Sequence, residues 1–175
     1  MKTDVEQLST YKSVHLNRNN VKTHFIGVPM IVWALMVLLS LVQLPLTIPS
    51  LDSPLTLAMV AFTGVLIYYF MLNISLAIGQ VLFIVPALYS AHLVSLSANA
   101  LWIALGVFVI GWIFQFIGHH FEKAKPAFVD DLNQLLIGPL FVMAETFFMF
   151  GALKKLEDEI TPLAIEKRRA FEAKR

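Results

Sequence analysis

Cysteine is absent from all 175 residues, so disulfides, thiolate haem ligation and iron–sulfur clusters are excluded from whatever the chain does. Cations are absent from its whole middle: no Lys or Arg lies between Lys22 and Lys123, and the only formal charges in that stretch are Asp52 and Glu122. A soluble surface cannot be built from such a segment. Lipid requires one, because a charge at the bilayer centre costs about 2.5–3.5 kcal/mol on insertion scales. There is no phosphate-binding glycine loop, no dinucleotide fingerprint, no internal repeat and no low-complexity tract. Met1 is followed by a polar stretch instead of a short apolar leader, so no cleavable signal peptide is expected. The formal net charge of +1 sits almost wholly at the two ends, and no nucleic-acid partner is expected.

What the chain does contain is apolar sequence: 58% of residues are hydrophobic and 14% charged, outside the range of soluble domains. The expected fold is all-α, a polytopic membrane helical bundle. Four spans are read from Val28 to Leu46, Leu55 to Leu72, Ile74 to about Leu96 and Ala100 to Gly118, with Pro29 suited to a first helical turn and Pro86 to a kink. Asn73 and Ser75 mark a tight return, and the polar break Thr47 to Pro54 carries Asp52. A fifth hydrophobic stretch, Leu132 to Leu153, holds Asn133, Gln134, Pro139 and Glu145, and is expected to be re-entrant or interfacial.

Positive charge supports that reading. Four cations precede the spans, Lys123 and Lys125 follow the fourth, and seven lie from Lys154 onward. Four crossings put the first two groups on the cytoplasmic side, whereas a fifth would strand the most basic group outside. Both termini are therefore expected to be cytoplasmic. The domain expectation is a polar N-terminal segment at 1–27, a membrane domain at 28–153 and a charged tail at 154–175, with Thr161-Pro162 opening a short, solvated helix.

Candidate chemistry rests on histidine. His15, His24, His119 and His120 all fall where this topology predicts one membrane face, while His92 falls near the other. His15 and His24 are nine residues apart, which on one straight helix puts them on opposite sides, so they converge only if Leu16-Asn17-Arg18-Asn19-Asn20 bends. Trp112, Gln115 and His119 share a helical stripe, with Glu122 near it if the helix continues. Gln115 is placed to accept the second ring N–H of a metal-bound His119. His120 points about 100° from His119, so both reach one ion only if the helix ends there. Glu145, a carboxylate inside an apolar run, is expected to be functional or paired. Three imidazoles with open positions suit zinc, iron, copper or nickel, and interfacial histidines bonded to headgroups or water fit the same spacing.

Two motifs carry a resemblance. One is Tyr11-x3-His15-x4-Asn20-x3-His24 followed by Val28-Pro29; the other is Gly111-Trp112-x2-Gln115-Phe116-Ile117-Gly118-His119, then Phe121-Glu122-Lys123, Pro126-Ala127, Gln134, Pro139, Phe141 and Glu145. Framing nearly the whole chain, they make it resemble a family of small membrane proteins that includes the yeast iron(II)-dependent 2-hydroxy fatty acid dioxygenase of phytosphingosine breakdown. The resemblance implies iron(II) held by His15, His24 and His119. A single residue, His120, separates His119 from Phe121 where the family pattern usually leaves two, which keeps His120 as an alternative ligand.

The implied reaction converts a long-chain 2-hydroxy fatty acid and O2 to the acid one carbon shorter plus CO2. That is a four-electron oxidation, O2 accepts four electrons, and no dinucleotide is needed. Glu145, Glu122 and Gln115 are candidate catalytic residues, and the partners implied are the fatty acid, O2 and membrane lipid. Five histidines in all argue against the membrane di-iron desaturases, which have about eight by family pattern. Two further readings stay open on the residues alone: a zinc-dependent membrane lipid hydrolase, and a non-catalytic lipid-binding membrane protein. Nothing in the sequence specifies an oligomeric state.

Overall fold

The computed structural model describes residues 2–48, 53–123, 125 and 131–173; Asp52 and the Pro126-Ala127 pair lie outside them. Seven helices and one hairpin are described: α1 (Asp4–Lys12), α2 (Arg18–Ser40), β1 (Gln43–Ile48), β2 (Ser53–Thr56), α3 (Leu57–Leu72), α4 (Ile74–Ser95), α5 (Ala100–Glu122), α6 (Gln134–Met149) and α7 (Lys154–Glu172). By contacts the chain forms two compact units, residues 29–112 and residues 1–28 with 113–175.

In the unit of residues 29–112, α3 packs on α4 across a one-residue return. Asn73 ends one helix and starts the other: its N–H donates to the Tyr69 carbonyl at 2.8 Å, and its Oδ1 accepts the Leu76 N–H at 3.1 Å. The Trp33 indole donates to Ser90 Oγ at 3.0 Å, giving a half-buried N–H its acceptor. The first apolar run departs from expectation. Its helix starts at Arg18 and stops at Ser40, and the chain then enters an antiparallel hairpin pairing Gln43 with Thr56 and Thr47 with Pro54. Pro45 and Pro54 lie within the two strands and suit a two-stranded hairpin better than helix interiors, where each would remove a backbone donor. Pro29, expected in a first turn, consequently lies well inside α2.

Among the described residues three helices, α2, α4 and α5, are long and apolar enough to cross a membrane, so the protein is a helical membrane protein. The helices α3 and α6 have 16 residues each, which rise about 24 Å against a hydrocarbon core of about 30 Å. The second and fifth apolar runs are thus shorter as helices than as sequence.

The other unit gathers α1, the start of α2, the end of α5, α6 and α7, with α1 packed on both α6 and α7. Thr3 Oγ1 caps α1 by accepting the Glu6 N–H at 3.1 Å. The tail is more ordered than expected. α7 begins at Lys154, seven residues before the predicted Thr161 cap, with Pro162 in its interior, and docks on α1. The Lys167 ammonium donates to Ser9 Oγ at 2.8 Å, Thr10 Oγ1 at 2.7 Å and the Glu6 carbonyl at 3.1 Å. These are neutral oxygens, and burial lowers the Lys167 pKa.

Candidate metal centre

Local chain geometry sets the first two histidines. After Lys12 the chain makes one further turn, with the His15 N–H donating to the Lys12 carbonyl at 2.9 Å, and α2 starts at Arg18. Asn17 shapes that restart, its Oδ1 accepting the Asn19 N–H at 2.9 Å. The bend that lets His15 and His24 meet therefore lies at residues 13–17, slightly earlier than the asparagine-rich stretch suggested. The His15 ring stacks on Tyr11 with centroids 4.1 Å apart and planes within 1°. Burial pushes the Tyr11 phenol above its ordinary pKa.

His15 Nδ1 donates to the Tyr11 carbonyl at 2.6 Å and His24 Nδ1 to the Asn20 carbonyl at 2.9 Å. A carbonyl only accepts, so each Nδ1 carries the proton and each Nε2 presents its lone pair. Those two Nε2 atoms lie 3.0 Å apart. Two acceptors at that distance repel unless something positive lies between them. A proton is a poor candidate, because burial first, then the neighbouring His24 and His119, hold the His15 pKa well below its ordinary value. The donor set suits a divalent transition metal such as iron, zinc, copper or nickel, for which neutral imidazole nitrogens oriented from behind by carbonyls are good ligands.

His119 completes the group from the last turn of α5. Its ring centroid lies 4.9 Å from His15 and 5.2 Å from His24, and one nitrogen from each of the three lies within 4.8 Å of the others. All three side chains are buried. Gly118 permits the approach: a Cβ there would overlap Thr23 Oγ1 and Asn20 Oδ1 and sit 3.3 Å from His24 Nδ1. α5 ends three residues after His119, where Lys123 takes a left-handed conformation (φ 54°) and its N–H closes on the His119 carbonyl at 3.1 Å.

Of the other sequence candidates, His120 is exposed and, like His92, stands outside the three-histidine group. Gln115 is buried, and its Nε2 has no hydrogen-bond partner among the described residues. Glu145 pairs with Lys12, and the Lys12 ammonium also lies over the rings of Phe141 and Phe148. Glu122 is buried and turned toward the His15 loop, receiving N–H groups from Leu16 and Asn17. Sequence reasoning missed Lys12 and Arg168 altogether. An acid in an apolar run announces a partner without naming it, and nothing in the tail's pattern marks Arg168.

The model of the Mpo1-like family, described as 2-hydroxy-palmitic acid dioxygenase Mpo1-like, matches residues 1–150. The chain belongs to the Mpo1-like family. It is a dioxygenase. The 2-hydroxy-palmitic acid dioxygenase MPO1 of Saccharomyces cerevisiae is 37% identical over 155 residues, covering 86% of this chain and 83% of the yeast protein. No solved structure matches. The Mpo1-like segment contains all three histidines, Glu122 and Glu145, whereas α7 lies beyond residue 150 and still reaches Glu122 through Arg168.

Proposed function

We propose that this Mpo1-like protein is an iron(II)-dependent dioxygenase that shortens long-chain 2-hydroxy fatty acids by one carbon, releasing CO2. The observation that carries the metal assignment is the pair of imidazole lone pairs facing each other at 3.0 Å with His119 beside them. The substrate class comes from kinship with the yeast enzyme. Bound iron would supply activation of O2 and a chelation point for the 2-hydroxy carboxylate. His15, His24 and His119 would hold it, leaving positions open, and the protein's part is to orient the headgroup and exclude water. Tyr11 fixes the plane of His15, and Gln115 offers a buried N–H near His119. Glu145, neutralised by Lys12, joins α6 to α1. The acyl chain and membrane lipid are its apolar partners.

In this reading the N-terminus, the loop after α5 and the tail share the cytoplasmic face, and α6 does not cross. α1 lies alongside α6, with Gln134 Nε2 donating to Gln7 Oε1 at 3.1 Å near one end, Tyr11 against Phe141, and Lys12 on Glu145 farther along. A helix flanked over that length by a polar one, itself docked on the charged α7, is not surrounded by lipid. The decisive experiment is anaerobic purification with iron(II), followed by oxygen uptake and product analysis on a 2-hydroxy C16 acid. One C15 acid and one CO2 per O2 is expected. Zinc at full occupancy with ester hydrolysis and no oxygen uptake would replace this reading with a lipid hydrolase.

A further inference from the structure

We infer that Glu122 is the positioning residue of the three-histidine centre: its carboxylate clamps the His15 loop to the end of the helix that carries His119. The inference rests on reading that group as a metal centre. Glu122 Oε2 accepts the Asn17 N–H at 2.8 Å and the Asn20 side-chain amide at 3.1 Å, and Oε1 accepts the Leu16 N–H at 3.2 Å. The donors Leu16 and Asn17 directly follow His15, and Asn20 supplies the carbonyl that orients His24. One carboxylate thus touches the supports of two histidines while standing three residues after the third.

Further contacts hold the carboxylate itself. Arg168 of α7 approaches Oε1 at 3.5 Å and donates to the Glu122 carbonyl at 3.0 Å, while the Asn17 side chain donates to the neighbouring Phe121 carbonyl at 3.2 Å. The amide of Asn20 is shared between Glu122 and the Val14 carbonyl at 3.2 Å, which closes the loop on itself. Hydrogen bonds to an ionised acceptor are about twice as strong as neutral ones. A glutamine would keep the shape but present an NH2 to one of the N–H groups that the carboxylate now accepts, turning a bond into a repulsion. The bonds of Glu122 go to Leu16, Asn17 and Asn20, so its effect is exerted through the chain that carries His15 and His24.

The test uses the full-length protein in detergent. In the metal-free state, Glu122→Gln is expected to speed amide exchange at Leu16 and Asn17 at least tenfold. With Co(II) as probe, read by its visible ligand-field bands, the same variant is expected to weaken binding about 10- to 100-fold. The weakening should shrink but not vanish when His15→Ala is already present, because part of the effect passes through His15 and part through the Asn20 support of His24. Arg168→Met, which leaves the loop bonds in place, should give a smaller loss, and it decides the matter if Glu122→Gln does not fold. Unchanged exchange at Leu16 and Asn17, an equal loss of Co(II) affinity with and without His15, or full affinity in Arg168→Met where Glu122→Gln is unfolded would each overturn the inference. Wild-type protein that binds neither Co(II) nor iron(II) would instead sink the metal reading, while the exchange measurement would still report whether Glu122 holds the loop.

Discussion

Gly118→Ala offers a severe test of the site's construction, because it adds a single methyl group at the contact between α2 and α5. The added Cβ overlaps Thr23 Oγ1 and Asn20 Oδ1 and stands 3.3 Å from His24 Nδ1. Neither overlapped group can simply swing away. Thr23 Oγ1 donates to the Asn20 carbonyl at 2.8 Å, and the Asn20 side chain is tied to Val14 and Glu122. The helices must separate instead, by about 1 Å if ordinary contact distances are to be restored. Overpacking of this kind costs about 1–3 kcal/mol of stability. A 1 Å displacement within a catalytic constellation costs about 100-fold in rate.

The assay is paired: thermal unfolding of the metal-free protein in detergent, and iron content with turnover after anaerobic loading. Controls come from the same chain. Gly64 and Gly106 sit inside helices with nothing within 4 Å of an added Cβ. Alanine there should stabilise by about 0.5–1 kcal/mol through helix propensity alone. Gly118→Ala with wild-type melting, full iron and normal turnover, beside stabilised controls, would refute the close approach of α2 and α5.

The Lys12–Glu145 pair predicts a non-additive cycle: Lys12→Met and Glu145→Gln should each lower the melting temperature more than the double variant does, because a half-removed pair leaves one polar partner stranded. Additive losses would show that the two groups do not depend on each other. The lowered pKa of His15 sets a pH dependence: the unfolded chain takes up a proton near pH 6.5 and the folded chain does not, so stability of the metal-free protein should fall as pH drops below about 6.5 and level off above it. Melts at pH 5.5, 6.5 and 7.5 check this, and His15→Ala should flatten the slope. With no native cysteine, single cysteines at Arg18, Lys123 and Asp158 should label from one face with an impermeant thiol reagent. Labelling of position 158 from the opposite face to position 123 would make α6 a crossing helix.

How far the site could be read in advance differs residue by residue. His15, His24 and His119 were marked by the motifs that carry the family resemblance, whereas histidine spacing alone left His120 and an interfacial role open. The meeting of His15 with His24 was legible only as a condition, since a bend had to exist between them and asparagines were available to make it. Helix ends were less legible. α2 starts ten residues before its apolar run because Asn17 and the turn after α1 set its origin, whereas hydropathy reports only where lipid-compatible side chains begin. The hairpin that shortens the first run depends on pairing between residues 43–48 and 53–56, a contact that no local periodicity signals. Lys12 and Arg168 were illegible for the same reason: their partners lie 133 and 46 residues away.

Those distant polar partners also answer a physical problem. Burial from water drives a soluble core together, but lipid tails are as apolar as leucine, so apolar side chains alone give membrane helices little reason to choose one another. Association then falls to close backbone packing and to directional polar contacts. The unit that holds the histidines uses both, with Gly118 against Thr23 for the first and Gln7 with Gln134, Lys12 with Glu145, and Glu122 with Asn20 and Arg168 for the second. Each of these pairs joins segments far apart in sequence, and two of them join α1 to α6. Since three imidazoles from three separate segments would have to meet within a few tenths of an ångström to hold a metal, the polar groups that register those segments matter to the candidate centre as much as the histidines themselves.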